Sequence, residues 1–152
     1  MIWNRMAWAA SVFVALSSAA MASAGSYGFV VDVSLSAKAV ALLQERKLSV
    51  DVFAQYQGDP IPSKEALAAS LGAGPLGVGE ETVTIPSGGG RAVLTGKGVV
   101  RKWLGWVKRL DVLVNVTSGG PENLLDCGIF EDAVAKAQEK PVAISCKLPD
   151  EK

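Results

Sequence analysis

Apolar and polar side chains alternate with a period of two along four stretches of the chain. In "FVVDVSL", Phe29, Val31, Val33 and Leu35 share one side while Asp32 and Ser34 take the other, the pattern of a strand with one face in a core. "LSVDVFAQY" repeats it with Leu48, Val50, Val52, Ala54 and Tyr56, "LDVLVNVT" with Leu110, Val112, Val114 and Val116, and "VAISCKL" with Val142, Ile144, Cys146 and Leu148. Weaker strands read at "ETVTI" and "RAVLT", and Gly88, Gly89 and Gly90 between them predict a hairpin. Two stretches break the period. "SAKAVALLQERK" has Ser36 placed as an N-cap before a helical run, and "VVRKWLGWVKRL" carries Val99, Trp103 and Trp106 at helical spacing. A third short helix is expected within 129–138. One helical turn is expected at "SKEALAASL", between the connections "GDPIP" and "GAGPLGVG". Six or seven short strands with connecting helices predict an all-β fold. The architecture they suggest is a two-layer antiparallel β-sandwich with two or three short helices, for which Greek-key order is one option.

The first 24 residues follow another rule. Met1 to Arg5 is a short positive region, Ala7 to Ala20 an apolar stretch broken only by serines, and Ala22-Ser23-Ala24 a small-x-small site. That is the layout of a secretory signal peptide cleaved before Gly25. A membrane anchor needs about eighteen or more strongly apolar residues, and this stretch is shorter and rich in alanine. The expectation is a removed leader at 1–24 and one domain at 25–152, large enough for its own core, periplasmic or secreted, with no membrane span.

Export decides the reading of the two cysteines, Cys127 and Cys146. In oxidising surroundings an isolated pair closes. Zinc would need four ligands, and the chain has no histidine. A thioredoxin-like site would set its thiols two residues apart. A structural disulfide is therefore expected, tying the segment 124–130 to the last strand, where the alternation turns Cys146 inward.

Fifteen Lys and Arg balance fifteen Asp and Glu, and loss of Arg5 with the leader leaves a slight negative excess. Nothing global points to nucleic acid or to an anionic membrane, although local patches remain open. The absence of histidine excludes Ser-His-Asp and Cys-His triads and His-containing metal sites. The glycine-rich runs lack both the lysine-serine ending of a P-loop and dinucleotide spacing. No metal and no cofactor are expected. Asp59, Asp126, Glu131 and Asp132 leave open a carboxylate-dependent hydrolase of envelope glycans. "NVT" at Asn115 matches a glycosylation sequon but falls inside a predicted strand.

Two features are not explained by folding alone. Lys97, Arg101, Lys102, Lys108 and Arg109 flank Trp103 and Trp106, with no acid among them. Such a set can stack on a ring or an acyl chain while holding an anion, or it can be a core-facing aromatic pair around which charges snorkel. The second reading is preferred, with Trp103 buried and Trp106 partly exposed. The other feature is "YQGDPIP", a glycine-proline turn in which Asp59 is expected to serve the backbone.

The stretches "SVDVFAQYQGDPIP", "NVTSGGPENLLDCGIFEDAV" and "KPVAISCKL" resemble a group of small exported proteins of Gram-negative bacteria. These share a Tyr-x-Gly-Asp-Pro turn and an Asn-Leu-Leu-Asp-Cys segment. The resemblance covers most of the chain from Gly25 onward, implies an envelope location and the disulfide, and carries over no catalytic residue. The expected function is a non-enzymatic periplasmic binding or inhibitor module, working through loops on a rigid sandwich, with a protein or glycan of the cell envelope as partner. The alternatives are the glycan hydrolase and a structural envelope component that oligomerises through outward residues such as Phe53 and Leu113.

Overall fold

The computed structural model of the protein describes residues 26–72 and 74–152. The expected leader and its cleavage site before Gly25 lie outside the described residues. The elements follow in the order β1 (Phe29–Leu35), α1 (Ala37–Arg46), β2 (Val50–Gly58), α2 (Lys64–Ala69), β3 (Leu76–Ile85), β4 (Gly90–Leu94), a 3₁₀ helix (Arg101–Trp106), β5 (Asp111–Ser118), β6 (Asp126–Cys127), β7 (Phe130–Ala133), α3 (Val134–Glu139) and β8 (Val142–Lys147). The strands form two four-stranded sheets, ordered β4-β1-β8-β6 and β3-β2-β5-β7. The fold is mainly β, as the period of two predicts.

The alternation sorts side chains as expected. Phe29, Val31 and Val33 of β1, Val50, Val52, Ala54 and Tyr56 of β2, Val112, Val114 and Val116 of β5, and Val142, Ile144 and Cys146 of β8 are all buried. They belong to one hydrophobic cluster drawn from both sheets. Phe29 and Tyr56 meet edge to face across it, ring centroids 6.4 Å apart, a geometry that aromatic quadrupoles favour. Phe53 and Leu113, on the other face of the second sheet, are partly exposed. α1 starts as its cap predicts: the Ser36 hydroxyl accepts the Ala39 N–H at 3.1 Å. It stops at Lys47, in the left-handed region with φ 55, and buries only Ala39 and Leu43. The helical turn expected at "SKEALAASL" is α2.

Several expectations are corrected. The sheets are not antiparallel throughout, because β1 pairs in parallel with β8 from Val31↔Val142 to Leu35↔Cys146. A parallel pair needs a long crossover, and nearly the whole chain supplies it. β3 and β4 do not pair as a hairpin: β3 lies beside β2 and β4 beside β1. The glycine turn between them therefore carries the chain from the edge of one sheet to the edge of the other. Gly89, with φ 78, lies against the Val33 carbonyl and the Leu35 side chain. β3 also begins earlier than read, since Leu76 and Val78 are buried strand residues inside the run taken as a connection. Within 129–138 the chain first extends as β7, which pairs with β5, and turns helical only at Val134. The 97–109 segment holds a 3₁₀ turn of six residues in place of a longer helix. Val99 and Val100 on one side and Val107 on the other are in extended backbone paired with other segments.

Cys127 and Cys146 form the expected disulfide and face each other across β6 and β8, next to the pair Asp126↔Lys147. Such a bond fits an oxidising location.

The titratable groups predict a flat stability profile with two limbs. The Arg91 guanidinium bonds Asp32 and holds its carboxyl below the ordinary 3.8. The Ser36 hydroxyl and then the Leu148 amide hold Glu151 below its ordinary 4.5. Depressed carboxylates add stability above their unfolded values, and that stability is lost as pH falls through the folded ones. Burial and the Glu81 carboxylate raise the Tyr56 phenol above 10.0, so the unfolded chain ionises first and stability falls as pH rises past that value. With no histidine in the chain, denaturation midpoints should stay level between about pH 6 and 8 and decline at both extremes. A step inside that window is the contrary result.

Candidate functional site

The segment from Thr95 to Leu110 crosses one end of the second sheet and is fastened on both sides. On the β3 side the anchor is Glu81, which is only 6% exposed. Its carboxylate accepts the Thr95 N–H at 2.9 Å, the Thr95 hydroxyl at 2.8 Å and the Gly96 N–H at 2.9 Å. A buried carboxylate persists when donors replace its water in this way. Val100 N–H donates to the Val78 carbonyl at 2.7 Å, and Gly79 bridges Val99. The two backbones pass so closely that a Cβ on Gly79 would strike the Gly98 carbonyl, and one on Gly98 would strike that of Glu80.

On the other side the anchor is the turn after β2. Ile61 N–H donates to the Trp106 carbonyl and Lys108 N–H to the Asp59 carbonyl, both at 2.8 Å, and Pro60 bridges Val107. A Cβ on Gly58 would strike the Arg109 carbonyl, which explains the glycine there. The tryptophan-basic segment and the "YQGDPIP" turn are thus one structural unit. Asp59 takes part through its main-chain carbonyl, which accepts the Lys108 N–H, and not through the side-chain bond to the backbone expected of a turn aspartate.

Between the anchors sits the 3₁₀ helix. Three residues per turn place i and i+3 at the same azimuth, so Trp103 and Trp106 share one face. Both are half-buried and rest on the core cluster together with Leu104. Trp106 is partly exposed as expected, whereas Trp103, expected to be buried, is no more than partly buried. Lys102 Nζ lies 5.4 Å from the centroid of the Trp103 ring, within cation–π range. Lys97, Arg101, Lys102 and Lys108 are exposed, and none forms a salt bridge among the described residues. Arg109 behaves differently: its Nε donates to Asp111 Oδ1 at 2.6 Å. That bond, with Asp132 and Asp59 nearby, raises the guanidinium further above its ordinary value. Arg109 is locally neutralised, leaving four uncompensated cations around two indoles.

The acids named as hydrolase candidates have separate local roles. Asp126 lies opposite Lys147 across β6 and β8. Glu131 accepts from Gln57 Nε2 at 3.4 Å, and Asp132 accepts the Ala133 N–H at 2.7 Å. Glu131 and Asp132 are neighbours on a strand, so their side chains point to opposite faces. Among the described residues no three of His, Cys, Asp and Glu gather closely enough to hold a metal ion. A shallow cleft of about 480 Å³ opens between Phe130, Lys136, Lys140, Pro141, Val142 and Ala143. It contains no acid.

Sequence reasoning missed Glu81. The register of β3 against β2 shifts between Tyr56 and Gln57, where Gly77 to Gly79 accommodates one extra residue. Upstream of the shift the inward residues are Leu76 and Val78, and downstream of it they are Glu81, Val83 and Ile85, so an uninterrupted alternation from Leu76 would have turned Glu80 inward instead. Spacing alone carried a signal, because Glu81 stands two and four residues before Val83 and Ile85.

Comparison of the chain with protein-family models, with curated proteins and with solved structures finds no match.

Proposed function

We propose that the chain from Gly25 onward is an exported, non-enzymatic binding module, a sandwich of two sheets that engages a partner of the cell envelope through the Lys97–Lys108 arm. The observation that carries this reading is the composition of the arm: two tryptophans on one face of a 3₁₀ turn, packed on the core yet still partly open to solvent, set among four exposed cations without a salt bridge among the described residues. Folding alone does not require four uncompensated cations around two indoles. Indoles offer large contact area with little side-chain entropy to lose, and the cations supply attraction for an anion. Anchors on β3 and on the Asp59 turn hold the arm in place before any partner arrives, which reduces the ordering needed on binding.

The chain from Gly25 onward should co-sediment with a cell-envelope fraction. Arg101→Ala combined with Lys102→Ala should weaken that binding at least about tenfold with the denaturation midpoint unchanged, because exposed substitutions rarely alter stability. Trp106→Ala should weaken it similarly and lower stability by about 1–2 kcal/mol, less than the roughly 3–5 kcal/mol of a fully buried tryptophan. Equal binding by the wild type and the Arg101/Lys102 variant would remove the arm from the function.

A further inference from the structure

We infer that the partner of the arm is a bilayer surface rich in anionic lipid, and that the end of the domain carrying the arm is a membrane-docking face. This rests on the arm being the contact surface and adds what it contacts. The first observation is where the chain enters the fold. Gly96, at the root of the arm, packs directly on the backbone of Tyr27 and Gly28. Tyr56 Oη donates to the Tyr27 carbonyl at 3.4 Å, and Gln138 Nε2 to the carbonyls of Ser26 and Gly28 at 3.1 and 3.0 Å. The described chain therefore enters the domain at the same end as the arm, beside the segment that carries Trp103 and Trp106.

The second observation is a further apolar projection from the same end. The loop between β2 and β3 is closed by the pair Gly58↔Leu76 and bridged to the arm at Pro60↔Val107. It displays Leu67 at 47% and Leu71 at 91% exposure. A leucine this open is poorly suited to water but suited to the boundary between headgroups and acyl chains, the level at which tryptophan also settles. The third is charge. Lys97, Arg101, Lys102 and Lys108 form a segment free of acids, complementary to a negative lipid surface within a Debye length. A soluble glycan would use the tryptophans and the cations but has no use for Leu71.

Trp103 and Trp106 are the only tryptophans from Gly25 onward, so emission reads the arm alone. The chain from Gly25 onward, which contains every described element, is titrated with vesicles of phosphatidylglycerol and phosphatidylcholine and with vesicles of phosphatidylcholine only. Expected are a blue shift and co-sedimentation with the anionic vesicles, at least about tenfold tighter than with the neutral ones and weakened by salt. Arg101→Ala with Lys102→Ala, and separately Leu71→Ser, should each reduce binding several-fold at an unchanged denaturation midpoint. Arm-dependent binding to the envelope fraction without binding to vesicles would overturn the lipid proposal and leave the binding module standing, with a glycan or protein as its partner. Vesicle binding that the Arg101/Lys102 variant retains in full would overturn both.

Discussion

Glu81→Ala should lower stability by about 3 kcal/mol and release the segment from Thr95 to Val100 while both sheets persist. Three donors converge on this one carboxylate, two of them backbone N–H groups. Hydrogen bonds to a charged acceptor contribute about 1.5–3 kcal/mol each, and a buried donor left without a partner adds its own desolvation penalty. Simple summing would exceed the expected value, but Thr95 lies near solvent and water can reach part of the gap. Glu81→Gln preserves the shape and replaces one acceptor oxygen with a donor that opposes an N–H, so its loss should be about half as large. Hydrogen exchange adds a local readout: the Thr95 and Gly96 amides should exchange faster in both variants, and the β5 amides should not. A loss below about 1 kcal/mol for Glu81→Ala would mean that burying the carboxylate nearly cancels the bonds it accepts.

Replacing the disulfide, as Cys127→Ser with Cys146→Ala, should also lower stability by about 3 kcal/mol. The bond spans a sequence separation of 19, and on the chain-entropy model closing a loop of that size contributes about that much. The fold makes the effect local as well. β6 is two residues long and pairs with β8 at two positions only, too little to hold a strand once the crosslink is gone. β8 would then become an edge with open hydrogen-bonding groups, prone to pair with another chain. Guanidinium denaturation of the double variant, compared with the wild type with and without reductant, should show the same downward shift for variant and reduced protein. Unchanged midpoints in both would show that β6 is held by contacts other than the crosslink.

How far the sequence could be read depended on which interactions decide each element. The inward faces of β1, β2, β5 and β8 were legible, with ends off by one or two residues in the last three, because burial of one face selects every second side chain and a slip by one position would invert the pattern. Ser36 was legible as a cap because the interaction it makes is local. The neighbours of β4 were not, since the turn at Gly88 to Gly90 is equally compatible with a hairpin and with a step between sheets. What decides is the pairing of β4 with β1, which begins 61 positions earlier, at Phe29↔Leu94 in reverse order to Val33↔Gly90. The arm was half legible. Its residues stood out by type, but its 3₁₀ geometry depends on Glu81, Gly79 and the Asp59 turn, all distant in sequence. The separation of Asp126, Glu131 and Asp132 into unrelated roles likewise follows from strand faces and pairing partners, which spacing alone does not encode.

The parallel contact between β1 and β8 bears on when this domain can fold. Ser34 and Ser145, hydrogen-bonded across it, lie 111 residues apart. A chain delivered N-terminus first offers β1 early, yet the strand at its side arrives almost last. Until Val142 to Lys147 has emerged, the first sheet lacks a central member and β6 has nothing to pair with, so the crosslink has no template. Pairings this distant form slowly. Under the export proposed above, late closure would keep the chain extended enough to pass a membrane until its end is in sight. The order of strands thus sets the schedule of folding as well as its outcome.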